Sequence, residues 1–429
     1  MKKLAALLGD IEIDRDLKLL LTIGGLYSLG IFLSNTFVNI YLWKQSGEYV
    51  SLAAYNIAVY IMQPLTFILA GRWAKKVDRV IVLRLGVIFL SLFFMTVLLA
   101  GEKAATYNVL LGALLGIGYG FYWLAYNVLT FEVTEPETRD FFNGFLGLLQ
   151  SFGGMIGPIL AGYIISRMDS FQGYTIIFSI SFSLFVLAVI CTMFLKRRSA
   201  EGVFSYRRII TERKHNANWK RILYAHTFQG LREGIFVFVI SVWVFVTTQS
   251  EFALGTFNLI FSGFSFLFYL LATKFIKPHM RKGSIFVGGL SLYLSIYLIL
   301  IHMSYPTLLI YAALIGISYP ILYVPYFSMS FDVIGKAWKA GEMRIEYIVV
   351  RELFLNVGRV FSIGIFLIAI SIFSAETIIP YLLMIFGAGH FIIYFFVKDI
   401  NLEPKKEHSK QKQKQNVFVK NELVDEENR

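Results

Sequence analysis

The chain of 429 residues contains one cysteine, Cys191, set in the middle of an apolar run. That excludes a disulfide framework and a thiolate metal site. No GxxxxGK[ST] loop occurs, so no P-loop nucleotide site can supply energy, and no HExxH or comparable ligand cluster is present. Charge is scarce too. Asp, Glu, Lys and Arg make up 16% of the residues, against about 25% in soluble domains. The opening segment MKKLAALLGD is too short and too soon charged to read as a cleaved signal peptide. From Asn401 onward the chain is rich in Lys and Gln, then acidic, and too poor in apolar residues to fold alone.

What is abundant is apolar surface. Hydrophobic residues reach 57% and aromatics 17%. A spanning helix needs roughly 20 apolar residues to cross a hydrocarbon core about 30 Å thick. About twelve stretches qualify. Leu19 to Leu42, Val50 to Gly71, Ala105 to Phe131 and Phe141 to Ser166 are uncharged examples, and the spans near residues 222–249 and 345–374 carry charges. The composition predicts an all-α, polytopic membrane protein with twelve transmembrane helices.

The chain also repeats itself. ALLGIGYGFYWLAYNVLTFE at 113–132 returns as ALIGISYPILYVPYFSMSFD at 313–332, with Ala113, Gly116, Tyr119 and Tyr126 matched by Ala313, Gly316, Tyr319 and Tyr326. Upstream, Leu52, Tyr55, Asn56 and Lys75 are echoed by Leu254, Phe257, Asn258 and Lys277. Two duplicated helical bundles are the signature of a transporter whose halves rock about a central site. The expected division is a six-helix bundle over 1–195, a basic linker over 196–221, a second six-helix bundle over 222–398 and a disordered tail over 399–429.

Basic residues set the orientation, because basic loops resist translocation. The linker from Lys196 to Arg221 carries nine Lys and Arg residues against Glu201 and Glu212. Linker and termini are therefore expected in the cytoplasm, with the chain a multi-pass protein of the plasma membrane. The net charge of +12 is explained by this asymmetry and by anionic lipid headgroups in the bilayer. No basic domain stands apart from the spans, which argues against a nucleic-acid partner.

The arrangement resembles the major facilitator superfamily up to about residue 398. In that family the loop after the second span reads Gly-x-x-x-Asp-Arg-x-Gly-Arg. Here GRWAKKVDR keeps Gly71, Lys76 and Arg79 in place, with Lys75 and Asp78 as departures that touch the gating charge pair. The family's antiporter motif, G-x8-G-x3-GP-x2-GG, is met in the fifth span by Gly144, Gly153, Gly157, Pro158 and Gly162, with Ala161 for one glycine. The resemblance implies an antiporter-like exporter, with these residues as gate and hinge. Small residues let helices approach closely in lipid, and Pro158 bends its helix, so a tight structural crossing is the competing reading. The family's exporters often carry an arginine in the fourth span, four residues before a glycine; that position is Gly112 here. Coupling must then use other residues.

Charges inside a span cost roughly 2.5–3.5 kcal/mol each on insertion scales and are kept where they pair or work. The seventh span presents His226, Gln229, Arg232 and Glu233 close to one face, with Arg232 and Glu233 some 15 Å deep at roughly 1.5 Å per residue. The eleventh presents Arg351, Glu352, Asn356 and Arg359. These are candidates for a substrate and ion pathway, with an internal salt-bridge lattice as the alternative. Glu233 is the candidate proton carrier, since burial and a neighbouring cation act on a carboxylate in opposite directions.

Tyr119, Tyr122, Trp123 and Tyr126 form a stripe in the fourth span, and Tyr319, Tyr323 and Tyr326 repeat it in the tenth. Ser28, Asn35 and Asn39 add polar groups in the first span. In the family fold these spans face the cavity, and such rings suit a bulky, partly apolar ligand. Buried basics outnumber buried acids by one, which leaves an amphiphilic drug-like molecule and an anionic or lipid-linked substrate level with each other.

The overall expectation is a secondary active transporter, not an enzyme. It would need no cofactor and no metal, and it would take a small-molecule substrate, protons as coupling ion and one chain as the working unit. Uptake or flipping of an anionic substrate is the alternative, and a non-transporting sensor or scaffold the alternative of another class. The cytoplasmic group Glu132, Glu135, Glu137, Arg139 and Asp140 superficially resembles an enzyme site, but Lys336, Lys339 and Arg344 occupy the matching loop, which favours gate pairing.

Reporter fusions after residues 46, 103, 169, 250, 304 and 375 should read outside, and those after 77, 137, 210, 280, 338 and 405 inside. An odd number of crossings or an outward linker would sink the topology.

Overall fold

The computed structural model describes residues 14–133, 136–168, 171–197 and 202–402. Among them, eleven segments are long and apolar enough to cross a membrane, and one of these, Arg79–Thr130, is two helices joined by a 3-10 turn over Gly101–Tyr107. Twelve spanning helices result. The first six are α1 (Arg15–Ser46), α2 (Tyr49–Lys76), α3 (Arg79–Ala100), α4 (Asn108–Val133), α5 (Pro136–Ser166) and α6 (Gln172–Met193). A two-turn helix, Tyr206–Glu212, lies in the linker. The second six are α7 (Ala217–Thr248), α8 (Glu251–Phe275), α9 (Arg281–Ile301), α10 (Tyr305–Gly335), α11 (Arg344–Ile372) and α12, which runs over Ala375–Gly387 and Gly389–Val397 with Ala388 between. No strand occurs among the described residues. In lipid every backbone group must be bonded within the chain, and helices achieve this residue by residue.

The repeat extends to the helix ends. Asp14 caps α1, its side chain accepting from the backbone N–H of Arg15, and Asn216 caps α7 by accepting from Trp219 N–H. Those positions are 202 residues apart, the spacing of the upstream sequence echo. The far ends keep the same spacing, with Gly47 (φ 65°) closing α1 and Gln249 (φ 51°) closing α7 in the left-handed conformation. Helices α1 and α7 are each 32 residues long.

Packing repeats as well. In the first half α1 lies against α5 and α6, α4 against α2 and α3, and α3 against α6. In the second half α7 lies against α11 and α12, α10 against α8 and α9, and α9 against α12. The halves meet where α2 packs on α11 and α5 on α8, with a smaller contact between α1 and α7. The result is two pseudo-symmetric six-helix bundles side by side.

Three crossings show the dependence on glycine. A Cβ at Gly116 of α4 would stand 2.5 Å from the Val59 carbonyl oxygen of α2; its repeat mate Gly316 of α10 would stand 2.6 Å from the Phe261 oxygen of α8. The tightest of them joins α7 and α11. There Gly230 faces the Leu355 carbonyl and Gly358 faces the Thr227 carbonyl, each with no room for a side chain. Packing of this kind, with no hydrophobic drive between helices, is what joins spans in a bilayer.

Gly358→Ala should therefore destabilise the detergent-solubilised protein by about 1–3 kcal/mol, read as a lower unfolding temperature. Gly364→Ala, on the same helix with nothing within 4 Å, should not. Equal shifts would show that helix propensity, and not the crossing, is being measured.

Candidate functional site

A cavity of about 790 Å³ lies between the two bundles, lined from α1, α2, α4, α5, α7, α8, α10 and α11. Its charged wall comes from α7 and α11, whose backbone contact sets their side chains opposite one another. Glu233, at the midpoint of α7, accepts two hydrogen bonds on Oε2 from Arg359 of α11, from Nη2 at 2.5 Å and from Nε at 3.1 Å. Its Oε1 accepts from Gln229 Nε2 at 2.8 Å. His390 of α12 stands with Nε2 4.0 Å from the same oxygen. Arg359 also donates from Nη1 to Asn356 Oδ1 at 3.2 Å, and its guanidinium stacks 4.8 Å from the ring centre of Tyr60. His226 bonds to Gln229 Oε1 through Nδ1 (2.9 Å) and to Ser330 Oγ through Nε2 (3.2 Å). One connected polar network thus runs from α10 through α7 to α11 at mid-depth.

Nearer the linker end, Arg351 Nη2 pairs with Glu352 Oε1 at 3.0 Å, and the Arg351 guanidinium lies over the Phe327 ring. Arg232 lies over Phe236 at 4.4 Å. Of the residues singled out in α7 and α11, His226, Gln229, Arg232, Glu233, Glu352 and Arg359 line the cavity, and Asn356 sits buried just behind Arg359.

The aromatic candidates divide. Trp123, Tyr319 and Tyr323 line the cavity, with Tyr319 and Tyr323 stacked at 5.3 Å. Tyr119 and Asn35 do not; the Tyr119 hydroxyl donates to Asn35 Oδ1 at 3.5 Å, outside the cavity wall. A stripe of aromatic residues gives the spacing on a helix but not its rotation, and α4 turns Trp123 inward instead. Lining residues that sequence reasoning passed over include Tyr60, Gln63, Asn127, Gln150, Asn258 and Tyr311. Gln63 carried a usable signal, an amide beside Pro64 in a mostly apolar span.

Each end of the bundle carries an ion pair between halves. At the linker end Lys75 Nζ meets Glu346 Oε1 of α11 at 2.6 Å, both side chains nearly fully buried. Lys75 also donates to the Glu342 carbonyl at 3.0 Å, and Glu346 accepts from Ser205 N–H. Lys75, one of the two departures from the family loop, makes this bond; Lys76, the residue in register with the family arginine, points outward and is exposed. Gly71 packs under Phe204 of the linker and Val349 of α11, and Arg79 borders a second, basic pocket that opens beside Lys75. The acidic loop expected to pair there, with Glu132, Glu135, Glu137, Arg139 and Asp140, lies outside the described side chains. At the opposite end Lys44 of α1 meets Glu251 of α8 at 2.9 Å, and the Tyr174 hydroxyl donates to the same carboxylate oxygen at 2.9 Å.

The glycine-rich fifth helix serves both neighbours. Gly153 and Gly157 face Ser28, Phe32 and Leu33 of α1, while the Pro158 carbonyl lies against Gly255 of α8 across the boundary between halves. Helix α5 therefore touches the bundle it belongs to through Gly153 and Gly157, and the other bundle through Pro158 and through Gly162, which lies against Glu251 and Phe252 of α8.

Two duplicated six-helix bundles around a mid-depth polar cavity define the class of membrane transporters. Residues 20–343 match the model of the Major Facilitator Superfamily, and the chain belongs to that superfamily. It is 58% identical over 405 residues, 94% of each chain, to the uncharacterized protein YqgE of Bacillus subtilis (strain 168). It is 67% identical over 172 residues to an uncharacterized protein encoded in the sodM 3′ region of Geobacillus stearothermophilus, covering 40% of this chain and 80% of that one. Among solved structures, a POT family transporter in complex with 5-aminolevulinic acid superposes with a TM-score of 0.69 at 12% identity, covering 91% of this chain and 96% of that one. The human organic anion transporter MFSD10 (TETRAN) superposes with a TM-score of 0.61 at 14% identity, covering 89% and 99%. At such identities these two likenesses establish the fold.

Removing one partner of a buried ion pair strands the other and costs about 3–5 kcal/mol. Lys75→Ala and Glu346→Ala should each lower thermal stability by that order, and the double variant should lose much less than the sum. Additive losses would show that the two side chains do not act as a pair.

Proposed function

We propose that this chain is a proton-coupled secondary transporter that exports an amphiphilic small molecule by alternating access. The supporting observation is the setting of Glu233, a carboxylate at the midpoint of a span, on the cavity wall, held by Arg359, Gln229 and a nearby His390. An ionised Glu233 binds the Arg359 guanidinium and ties α7 to α11. A protonated Glu233 releases that guanidinium, and an uncompensated cation in the cavity then makes the opposite arrangement of the halves more favourable. Proton binding and a change of facing become linked, which is the requirement for coupled transport.

Direction rests on the fifth helix. Its Gly153, Gly157 and Pro158 follow the antiporter pattern, with Gly153 and Gly157 packed on α1 and Pro158 against Gly255 of α8, and that pattern favours exchange of substrate against protons. The basic linker supports a cytoplasmic Lys75–Glu346 end, an outward Lys44–Glu251 end and cytoplasmic termini in the plasma membrane. One chain is sufficient, because the cavity is lined by both halves of the same polypeptide.

The test uses proteoliposomes containing the full chain alone, an imposed pH gradient and a panel of amphiphilic anions, cations and lipid-linked sugars. A transported compound should collapse the gradient. Glu233→Gln, which keeps shape and hydrogen bonding but fixes the neutral state, should abolish pH-driven uphill flux while leaving gradient-free exchange intact. Uphill flux surviving in this variant would move the coupling role elsewhere, with Glu352 the next carboxylate on the wall.

A further inference from the structure

The charged wall of the cavity contains three arginines and two glutamates, Arg232, Arg351, Arg359, Glu233 and Glu352. The glutamates are already taken. Glu233 binds Arg359, and Glu352 binds Arg351. Arg232 is left over. Among the described residues no carboxylate lies within ion-pair distance of it, although Glu233 is its neighbour in the chain. Helical geometry explains this, since successive residues point about 100° apart and Glu233 turns towards α11.

The guanidinium of Arg232 is not left in bulk water either. The residue is 7% exposed, its Nε has no hydrogen-bond partner, and one face lies on the Phe236 ring. The Tyr311 hydroxyl of α10 stands beside it. A phenol and a ring face soften the cost of a buried cation but do not neutralise it. A charge kept at mid-depth without a countercharge is an arrangement completed by something that enters the cavity.

We infer that Arg232 is the anchor for an oxyanion headgroup, a carboxylate or a phosphate, on an amphipathic substrate. This rests on the cavity being the substrate site. A guanidinium presents its donors as a planar fork that matches two oxygens of either headgroup. The apolar body would lie against Tyr60, Trp123, Phe236 and Tyr319, which supply ring faces around the same space. A cationic ligand would instead meet a second like charge in a medium of low dielectric, so the site selects against the cationic amphiphiles that a carboxylate-rich cavity would take.

The experiment is calorimetric titration of the full chain in lipid nanodiscs with four probes of one shape: 2-naphthoate, 2-naphthyl phosphate, the neutral 2-naphthamide and 2-naphthylmethylammonium. The wild type should bind the two anions at least about tenfold tighter than the amide, the scale expected of a desolvated charge pair, and bind the ammonium weakest. A stronger response to phosphate than to carboxylate, or the reverse, would identify the headgroup. Arg232→Gln should erase the preference for anions, and Arg232→Lys should keep part of it, as a point charge without the fork. Acid and amide binding alike, a preference for the ammonium, no binding by any probe, or an anion preference unchanged in Arg232→Gln would each overturn the inference. The wild-type series needs no variant to fold. Binding at equilibrium also needs no gradient, so loss of proton-driven flux with the anion preference intact would remove the coupling reading and leave the anchor standing.

Discussion

The backbone contact between α7 and α11 is the constraint on which the site depends. Gly230 and Gly234 of α7 and Gly358 of α11 leave no side chain between the two helices, so the residues next to them are forced into register. Glu233 adjoins Gly234, and Arg359 adjoins Gly358. Their ion pair is thus a consequence of the crossing, positioned by glycines that carry no charge themselves. The membrane supplies the other half of the constraint. An isolated charge at mid-depth costs roughly 2.5–3.5 kcal/mol on insertion scales, so the crossing and the pair support each other. Substituting either glycine would move a charge as well as a helix.

Duplication built the scaffold, and divergence built the chemistry. Caps, lengths and pairings of α1 and α7 coincide at a spacing of 202 residues. At that same spacing Arg232 and Glu233 correspond to Gly30 and Ile31. In the first half the space near Gly30 is sealed by Ser34 and Ser181, whose hydroxyls bond to the Gly30 carbonyl and to each other. The asparagine pair shows the same split. Asn56 donates to Asn39 and is buried, whereas its mate Asn258 lines the cavity. One bundle therefore presents mainly rings and amides, while the other presents the charges.

This explains which parts of the molecule were legible in sequence. Repeats, spans and the charged faces of α7 and α11 are periodic signals, and periodicity survives folding. Rotation of a helix about its axis is not such a signal. Lys75 and Lys76 differ by one residue, about 100° on a helix, and the buried bond to Glu346 goes to Lys75. Tyr119 and Trp123 share a stripe, yet only Trp123 reaches the cavity. His390 was hidden for another reason. It is one histidine in a mostly apolar span, and its meaning comes from Glu233, 157 positions earlier in the chain, an association that only tertiary packing creates.

The two cross-half ion pairs differ in a way that bears on movement. Each joins a lysine of the first half to a glutamate of the second, at opposite ends of the bundle. The Lys44 side chain is 30% exposed, so water can replace much of what Glu251 gives it when that end parts. Its partner Glu251 is buried, at 9% exposed, but keeps the Tyr174 hydroxyl as a second partner. Lys75 and Glu346 are 10% and 0% exposed, with a carbonyl and a backbone N–H completing the cluster. Parting that end strands a buried carboxylate until water or another cation reaches it. The two ends are therefore unequal barriers, and the Lys44 end opens at lower cost. A transporter working from this resting balance needs free energy from its ligands to open the Lys75 end. If the cavity is the substrate site proposed above, occupancy there would supply it, because the cavity wall is formed by α7 and α11 together and α11 is the helix that carries Glu346.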